Sequence, residues 1–463
     1  MASPIEIALT FPLECTMKTS AFSLFFLLLG SILLSACAAS PAINNAAPPT
    51  ATPSTSAGGD QVVIRIAAGS VGQEYETTLA GAQRYMKSHP NVRIEVIDAP
   101  ELSDDRLGYI QSYLERHSSE IDIYQIDVIW PGTLARHFVD LYKYGAGRYT
   151  AEHFPAIIAN NTVNGRLVAM PWFVDAGLLY YRTDLFAKYE YDHPPATWDE
   201  LEEMAQRIQE GERAENPNFW GYVWQGHAYE GLTCNALEWI ASNGGGTIIT
   251  PSGLITINNV PAIQAVQRAA HWVGTISPPG VLGLTEEDAR TMFQNGNAAF
   301  MRNWPYAYNL LNALDSDVRA QVGIAPLPAG DSGQSAATLG GWQLAVSRYS
   351  NHPEIAADVV FYLTGQDEQK IRAINAGYNP TIPSLYQDKD VLLAAPYFRD
   401  LYDVFTNAVA RPSTVAAPLY SETSSIFYFT VHDILNGKVD APSAFRTMNT
   451  QLESLLGFSS TTR

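Results

Sequence analysis

Three short stretches of the chain place aromatic residues beside isolated charges or paired glycines. They are Trp172–Asp175 (WFVD), Asn303–Tyr306 (NWPY) and Gly340–Trp342 (GGW). A sugar ring stacks its apolar face on an aromatic side chain, and its hydroxyls donate to carboxylates and accept from guanidinium groups. The three stretches together favour a site for a neutral oligosaccharide, although any one of these tryptophans could equally belong to the core.

Asp127 is a further candidate, because it lies between the apolar residues Ile126 and Val128. Burying a carboxylate among apolar neighbours is costly unless it meets a hydrogen-bonding or charged partner. We therefore expect the fold to bring a partner to Asp127.

The motifs of common catalytic and cofactor sites are missing from the sequence. The nine histidines are scattered, and there is no H-E-x-x-H pattern, no paired cysteine motif and no G-x-x-x-x-G-K-[ST] loop. The stretch Gly330–Gly333 (GDSG) superficially matches a protease nucleophile loop, but no histidine-bearing motif accompanies it. Two carboxylates in a sugar cleft could also serve a glycoside hydrolase, yet no spacing selects such a pair. We expect a protein with no enzymatic activity, no metal and no cofactor.

The amino-acid composition limits the classes of molecule that the protein can bind. The chain has 463 residues, with 28 Lys and Arg against 47 Asp and Glu, so its net charge is −19. Such an acidic surface repels phosphate backbones, which argues against nucleic-acid binding. The length suggests two or three lobes.

The N-terminus has the pattern of a secretory signal. Met17-Lys18 precedes the apolar run Ala21–Ala36, which is shorter than the roughly 20 residues that span a bilayer. The run ends in Leu34–Cys37 (LSAC), which resembles the lipobox of bacterial lipoproteins. This resemblance implies a signal peptide over residues 1–36, with its true start at Met17, and lipid attached to Cys37. The alternative is an ordinary signal peptide with an incidental cysteine.

Residues 37–60 are expected to form a lipidated cysteine and a flexible tether, since they are rich in Ala, Pro, Ser and Thr. The lipid would hold the protein on the outer, extracytoplasmic side of the cell membrane. Cys234 is then the one cysteine left in the body, so no internal disulfide is expected.

Short strands alternate with helices along the body, which predicts an α/β fold with a largely parallel sheet. The predicted strands are Val62–Ala67, Val92–Ile97, Ile121–Trp130, Ala298–Arg302 and Val322–Pro326, with long extended runs at Leu167–Tyr181 and Leu339–Ser347. The predicted helices are Thr77–Lys87, Trp198–Gln209, Leu284–Gln294, Glu354–Thr364, Tyr397–Val409 and Ser424–Leu435. A capping box, Thr197–Glu200 (TWDE), begins the second of these helices.

The body resembles an extracellular solute-binding protein of the maltose-binding class, and especially the trehalose/maltose-binding proteins of sugar ABC importers. The matching stretches are IDV at 126–128, VDAGLLYYR at 174–182, NPNFWGYVWQG at 216–226, YEGL at 229–232, GNAAFMRNWPY at 296–306, SAATLGGW at 335–342 and NAVARP at 407–412. VDAGLLYYR is common among such proteins, whereas NPNFWG, RNWPY and ATLGGW together are specific.

The resemblance implies a two-lobe, type II periplasmic-binding-protein-like fold with a ligand cleft between lobes joined by crossing strands. Lobe 1 would comprise residues 61–175 and 344–376, and lobe 2 residues 176–343 and 377–463. The crossings would lie near 175–178, 341–344 and 374–380. The implied ligand-binding residues are Glu74, Arg106, Asp127, Phe173, Asp175, Trp304, Tyr306, Gly341, Trp342 and Arg411. Phe173 stands where the family has a tyrosine.

The resemblance also implies a function. The protein would capture a disaccharide such as trehalose or maltose and deliver it, as a monomer, to the permease subunits of an ABC importer. Another di- or oligosaccharide, such as sucrose or a maltodextrin, is the alternative ligand.

Overall fold

The structure, a computed structural model, describes residues 61–461, which belong to one unit. The predicted signal peptide, the lipidated Cys37 and the tether lie outside the described residues. Among residues 61–461, no helix is long and apolar enough to cross a membrane.

Strands and helices alternate through the described chain. The strands are β1 (Val62–Ala68), β2 (Val92–Asp98), β3 (Ile123–Asp127), β4 (Thr162–Val163), β5 (Arg166–Leu167), β6 (Met170–Ala176), β7 (Leu178–Arg182), β8 (Trp220–Val223), β9 (Ala298–Asn303), β10 (Val322–Ala325) and β11 (Leu339–Val346). The helices of the first half are α1 (Glu74–Ser88), α2 (Ser103–Leu114), α3 (Pro131–Leu134), α4 (Pro155–Asn160), α5 (Thr183–Tyr189), α6 (Trp198–Glu212) and α7 (Glu230–Ser242). The helices of the second half are α8 (Val260–Trp272), α9 (Glu286–Gln294), α10 (Ala307–Leu311), α11 (Pro353–Thr364), α12 (Gln366–Ala376), α13 (Lys389–Ala394), α14 (Tyr397–Asp400), α15 (Tyr402–Thr406), α16 (Ser413–Ala416), α17 (Tyr420–Leu435) and α18 (Ala441–Leu456).

The first sheet has the order β2-β1-β3-β11-β6. Strand β1 runs parallel to β2 and β3, whereas β11 runs antiparallel to both β3 and β6. Ile64, Ile66 and Ile123 are fully buried in the core of this sheet. The register sets Trp342 opposite Asp127, so two predicted site residues meet at the same end of neighbouring strands.

The second sheet has the order β10-β7-β9-β8, and only its β8–β9 pair is parallel. The expectation of largely parallel sheets is therefore wrong. The antiparallel pairs in both sheets involve β6, β7 and β11, the strands that directly precede or follow a passage of the chain from one sheet to the other. Helix α6 begins as predicted, with the Thr197 hydroxyl accepting from the backbone N–H of Glu200.

The chain passes between the sheets at places that differ partly from the expectation. Strands β6 and β7 are separated by Gly177 alone, so the predicted crossing at 175–178 is present. The predicted crossing at 341–344 is wrong, because those residues lie inside β11 and pair with the first sheet. The chain instead crosses between β10 and β11, over residues 326–338.

The segment 381–406 packs beside the first sheet. The Thr381 hydroxyl bonds to His153 Nδ1 at 2.7 Å, and the ring of Tyr386 packs 6.0 Å from that of Phe154. His153 and Phe154 both lie near the first sheet, and α15 contacts β6, a strand of that sheet. The chain reaches the second lobe later, where Val409 pairs with Thr338 and α17 packs on α7 and α8.

Candidate functional site

A cavity lies between the two lobes and encloses about 590 Å³ of space not filled by atoms, including the part open to solvent at its mouth. Nine of the ten predicted site residues line it: Glu74, Asp127, Phe173, Asp175, Trp304, Tyr306, Gly341, Trp342 and Arg411.

Asp127, the last residue of β3, has the partner that its apolar neighbours lead us to expect. Arg411 donates from Nη2 to Asp127 Oδ1 at 3.1 Å and from Nη1 to Glu230 Oε1 at 2.9 Å. Asp127 also accepts from the Ser103 hydroxyl and from the backbone N–H of Ile129. Because Glu230 begins α7 of the second lobe, Arg411 ties the two lobes together beside the cavity.

Arg106 is the predicted site residue that does not line the cavity. It is fully buried on α2, and its guanidinium carbon lies 4.1 Å from the centroid of the Trp342 ring. Its Nη1 also donates to Glu74 Oε2 at 3.2 Å. Arg106 therefore supports Trp342 and Glu74 from behind. Burial raises the pKa of Glu74, and the positive charge of Arg106 opposes that rise.

The second lobe repeats this arrangement around Trp304. The guanidinium carbon of Arg302 lies 3.9 Å from the centroid of the Trp304 ring, and Arg302 Nη2 donates to Glu238 Oε1 at 2.6 Å. Both charged side chains are fully buried. In each lobe, then, a tryptophan that lines the cavity rests on a buried arginine that is paired with a glutamate. A cation against one face of the ring and a packed surface around it hold the ring in place.

Asp175 is the most unusual group in the cavity. It lies at the end of β6 with 6% of its surface exposed, and its Oδ1 has no hydrogen-bond partner within the described part of the chain. Burial, together with the nearby carboxylates of Glu74 and Asp127, raises its pKa to about 8, against the opposing charge of Arg302. Buried polar atoms are almost always hydrogen-bonded, so this oxygen is available to a ligand.

Gly341 shapes the cavity through its backbone. Its φ is +118°, and a Cβ at this position would lie 2.4 Å from the carbonyl oxygen of Phe173 on the adjacent strand. The pairing of β11 with β6 shifts register directly after Trp342. Glycine is required here because no other residue allows the two strands to approach so closely while turning Trp342 toward the cavity. The ring of Phe173 is buried against Tyr378, with centroids 4.6 Å apart.

The structure adds lining residues that are not among the ten predicted site residues, namely Val71, Glu101, Ser103, Tyr229, Glu230, Gly231, Cys234, Glu286, Gly340 and Tyr378. Glu230 is the most important of them, since it accepts from Arg411, from the Tyr420 hydroxyl and from the Ser424 hydroxyl. Burial raises its pKa to about 6, and these bonds and the Arg411 charge oppose the rise. The motif YEGL contains this residue, but its partners lie about 190 positions away.

Carboxyl groups dominate the charge of the cavity. Six side chains of Asp or Glu line it, against the single arginine Arg411. Among the described residues, no group of three or more His, Cys, Asp and Glu is placed to hold a metal ion. Hydrogen-bond acceptors beside aromatic faces suit a neutral ligand that is rich in hydroxyl groups.

Comparison with known proteins agrees with this geometry. Residues 68–370 match the family model of the bacterial extracellular solute-binding protein. A probable ABC transporter-binding protein of Deinococcus radiodurans is 52% identical over 396 residues, which cover 86% of this chain and 94% of that protein. The maltodextrin-binding protein MdxE of Bacillus subtilis is 27% identical over 42% of this chain and 45% of its own length.

Solved structures show the same architecture. The maltose-bound structure of T. maritima MalE3 is 40% identical, with a TM-score of 0.81, and the match covers 85% of this chain and 100% of that chain. The fold is thus the two-lobe fold of the maltose-binding class. The relatives are binding proteins and not enzymes, in agreement with the expected lack of enzymatic activity. The chain belongs to the bacterial extracellular solute-binding protein family.

Proposed function

We propose that this protein captures a disaccharide, such as trehalose or maltose, and delivers it to an ABC importer. One observation carries the proposal: the cavity sets a supported tryptophan from each lobe, Trp304 and Trp342, around the buried carboxyl of Asp175, whose Oδ1 has no hydrogen-bond partner among residues 61–461. Two aromatic faces and an unpaired polar atom match a ligand with two sugar rings. The T. maritima structure with bound maltose supports the same ligand class.

The proposed ligand contacts are the nine predicted residues that line the cavity, and Arg106 is proposed as a positioning residue. Trp304 and Trp342 would stack on the sugar rings. Asp127 and Asp175 would bond to hydroxyls. The carboxyl groups that line the cavity disfavour phosphorylated or carboxylated sugars. Such a ligand would bring its own negative charge into a partly buried site, where that charge would have no partner.

The proposed mechanism is closure of two lobes over the ligand. We assign residues 61–175 and 339–406 to the first lobe, and residues 178–325 and 409–461 to the second. The open protein samples closure, the sugar contacts both lobes, and the closed form becomes the dominant state that a permease recognises. In this scheme the protein acts as a monomer.

We also propose that the protein works outside the cell membrane, held there by lipid on Cys37 after removal of residues 1–36. The family is extracellular by description. A tether of about two dozen residues would keep the binding lobes close to the importer and raise their effective concentration there.

Titration calorimetry of the purified body, residues 61–463, tests the proposal directly. We expect saturable 1:1 binding of trehalose or maltose, much weaker binding of glucose, and no binding of glucose 6-phosphate or maltobionate, the acid form of maltose. Sucrose and maltotriose test the alternative ligands. Tight binding of an acidic sugar, or no binding of any disaccharide, would refute the proposed ligand class.

A further inference from the structure

A second space lies next to the cavity, on the other side of a thin wall. It is a groove lined by six polar or aromatic residues, Gln73, Tyr308, Asn309, Asn312, Arg319 and Asn375, and by five apolar residues. These residue types are also compatible with a sugar. Among the described residues, none lines both the groove and the cavity.

Three segments of the chain contribute residues to both sides of the wall. Val71 lines the cavity and Gln73 lines the groove; Tyr306 lines the cavity and Tyr308 lines the groove. In the same way, Tyr378 lines the cavity, three residues beyond Asn375 of the groove.

Tyr378 holds this wall closed. It is buried, and its hydroxyl donates to the backbone carbonyl of Val71 at 3.1 Å and accepts from the backbone N–H of Gln73 at 3.0 Å. The residue between them, Gly72, packs on Tyr306 so closely that a Cβ there would lie 2.5 Å from the ring. The rings of Tyr306 and Tyr378 are nearly parallel, with centroids 6.4 Å apart.

We propose that Tyr378, with the Val71–Gln73 loop that it fastens, is a length-determining residue that restricts the ligand to a disaccharide. The inference rests on the proposed function and refines it. An oligosaccharide that extended toward the groove would have to push its additional ring through the space that the Tyr378 ring occupies. A steric barrier of this kind gives selectivity by rejecting the longer ligand, without any gain in affinity for the shorter one. Removing the ring would join the cavity to the groove and give the additional sugar unit a polar surface to bind.

Calorimetry on residues 61–463 tests the inference with pairs of neutral sugars. Maltose, trehalose and sucrose are each compared with the same disaccharide extended by one glycosyl unit. For the disaccharide that binds, we expect the parent to bind the extended sugar at least about 100-fold more weakly. Tyr378→Ala should reduce that ratio by at least about tenfold, and Tyr378→Leu, which keeps an apolar contact with Phe173, should reduce it in the same direction. Tyr378→Phe keeps the ring but loses both hydroxyl hydrogen bonds to the Val71–Gln73 loop, so its ratio should lie between those of the parent and of Tyr378→Ala.

Asn375→Ala is the matched control, because Asn375 lies in the groove beyond the wall. It should not affect disaccharide binding by the parent, but it should lower the affinity that the Tyr378→Ala variant gains for the extended sugar. Equal binding of both sugar lengths by the parent would overturn the inference and leave the proposed function intact. An unchanged ratio in folded Tyr378→Ala and Tyr378→Leu variants would do the same. Loss of all disaccharide binding by the parent would instead refute the proposed function.

Discussion

Asp175 shows how burial changes the chemistry of a single residue. Its carboxyl group is enclosed, one oxygen lacks a partner among the described residues, and its pKa is raised to about 8. At neutral pH the group therefore holds a proton. A protonated carboxyl can donate a hydrogen bond as well as accept one, which suits a hydroxyl ligand that also does both.

Asp175 should make the free energy of unfolding depend on pH. The folded protein keeps a proton that the unfolded chain loses near its ordinary pKa of 3.8. The folded state thus binds more protons between about pH 4 and 8, so stability falls as pH rises, by at most about 1.4 kcal/mol per pH unit. Asp175→Asn cannot titrate. In urea unfolding between pH 6 and 8, the free energy of unfolding should fall less with rising pH for Asp175→Asn than for the parent. An equal fall in both proteins would contradict the raised pKa of Asp175.

The two supported tryptophans should dominate the affinity. Trp304→Ala and Trp342→Ala should each weaken disaccharide binding by about 2 kcal/mol or more, as truncation of a central aromatic contact typically does. Both variants should fold, because both rings are only partly buried. Calorimetry measures the loss, and native tryptophan fluorescence of the parent should change when sugar is added.

Trp220 offers a matched control for this experiment. It also has an arginine at its ring, with the Arg213 guanidinium carbon 4.1 Å from the centroid, but it is not among the residues lining the cavity. Trp220→Ala should bind sugar like the parent. If the control and the two cavity variants all behave alike, the tryptophans serve packing and not binding.

At the scale of elements, two helices from different lobes meet beside the cavity. Asp104, in the first turn of α2, accepts a hydrogen bond at 2.9 Å from the backbone N–H of Glu230, the first residue of α7. A carboxylate at a helix N-terminus is favourable because it satisfies an unpaired N–H and faces the positive end of the helix dipole. Asp104 does not line the cavity, so in the proposed mechanism this contact would favour closure without touching the ligand.

Asp104→Ala should therefore weaken sugar binding indirectly. Loss of a helix-capping carboxylate typically costs about 1 kcal/mol, which corresponds to roughly fivefold in affinity. The loss should arise mainly from faster dissociation, as measured by stopped-flow fluorescence, and small-angle scattering should show a more open unliganded protein. Asp105→Ala changes the exposed neighbouring carboxylate and should have neither effect. Unchanged dissociation from Asp104→Ala would show that this contact does not contribute to closure.

At the scale of the whole molecule, attachment to the membrane depends on a single residue outside the described structure. If Cys37 carries lipid, Cys37→Ser should release soluble protein or leave the signal peptide uncleaved, because the acyl chains supply the membrane affinity. Fractionation of cells that express the full chain, followed by mass spectrometry of the mature N-terminus, checks this. An unmodified Cys37 within a longer mature N-terminus would contradict the proposed anchor.

Local patterns in the sequence determined much of the fold. Strand and helix positions follow from hydrophobic periodicity and caps, which act over a few residues, and most of the predicted elements are present. The predicted helix Tyr397–Val409 is an exception, because it is divided at Leu401 into α14 and α15 and ends at Thr406. Its end is set by a distant partner, since Val409 must leave the helix to pair with Thr338.

The candidate site likewise depends partly on local sequence motifs and partly on contacts between residues that are distant in the chain. Motifs of a few residues, such as NWPY and GGW, marked the tryptophans and Asp175 in advance because stacking residues and strand ends are adjacent in the chain. Only the tertiary structure decided the partners: Arg411 pairs with Glu230 from 181 positions away, and Arg106 lies behind Trp342. It also leaves Asp175 Oδ1 without a partner in the described part of the chain. Strand order and chain crossings bring these groups together, and no local pattern specifies them. Burial, which sets the pKa values of Asp175 and Glu230, likewise exists only once both lobes are folded and in contact.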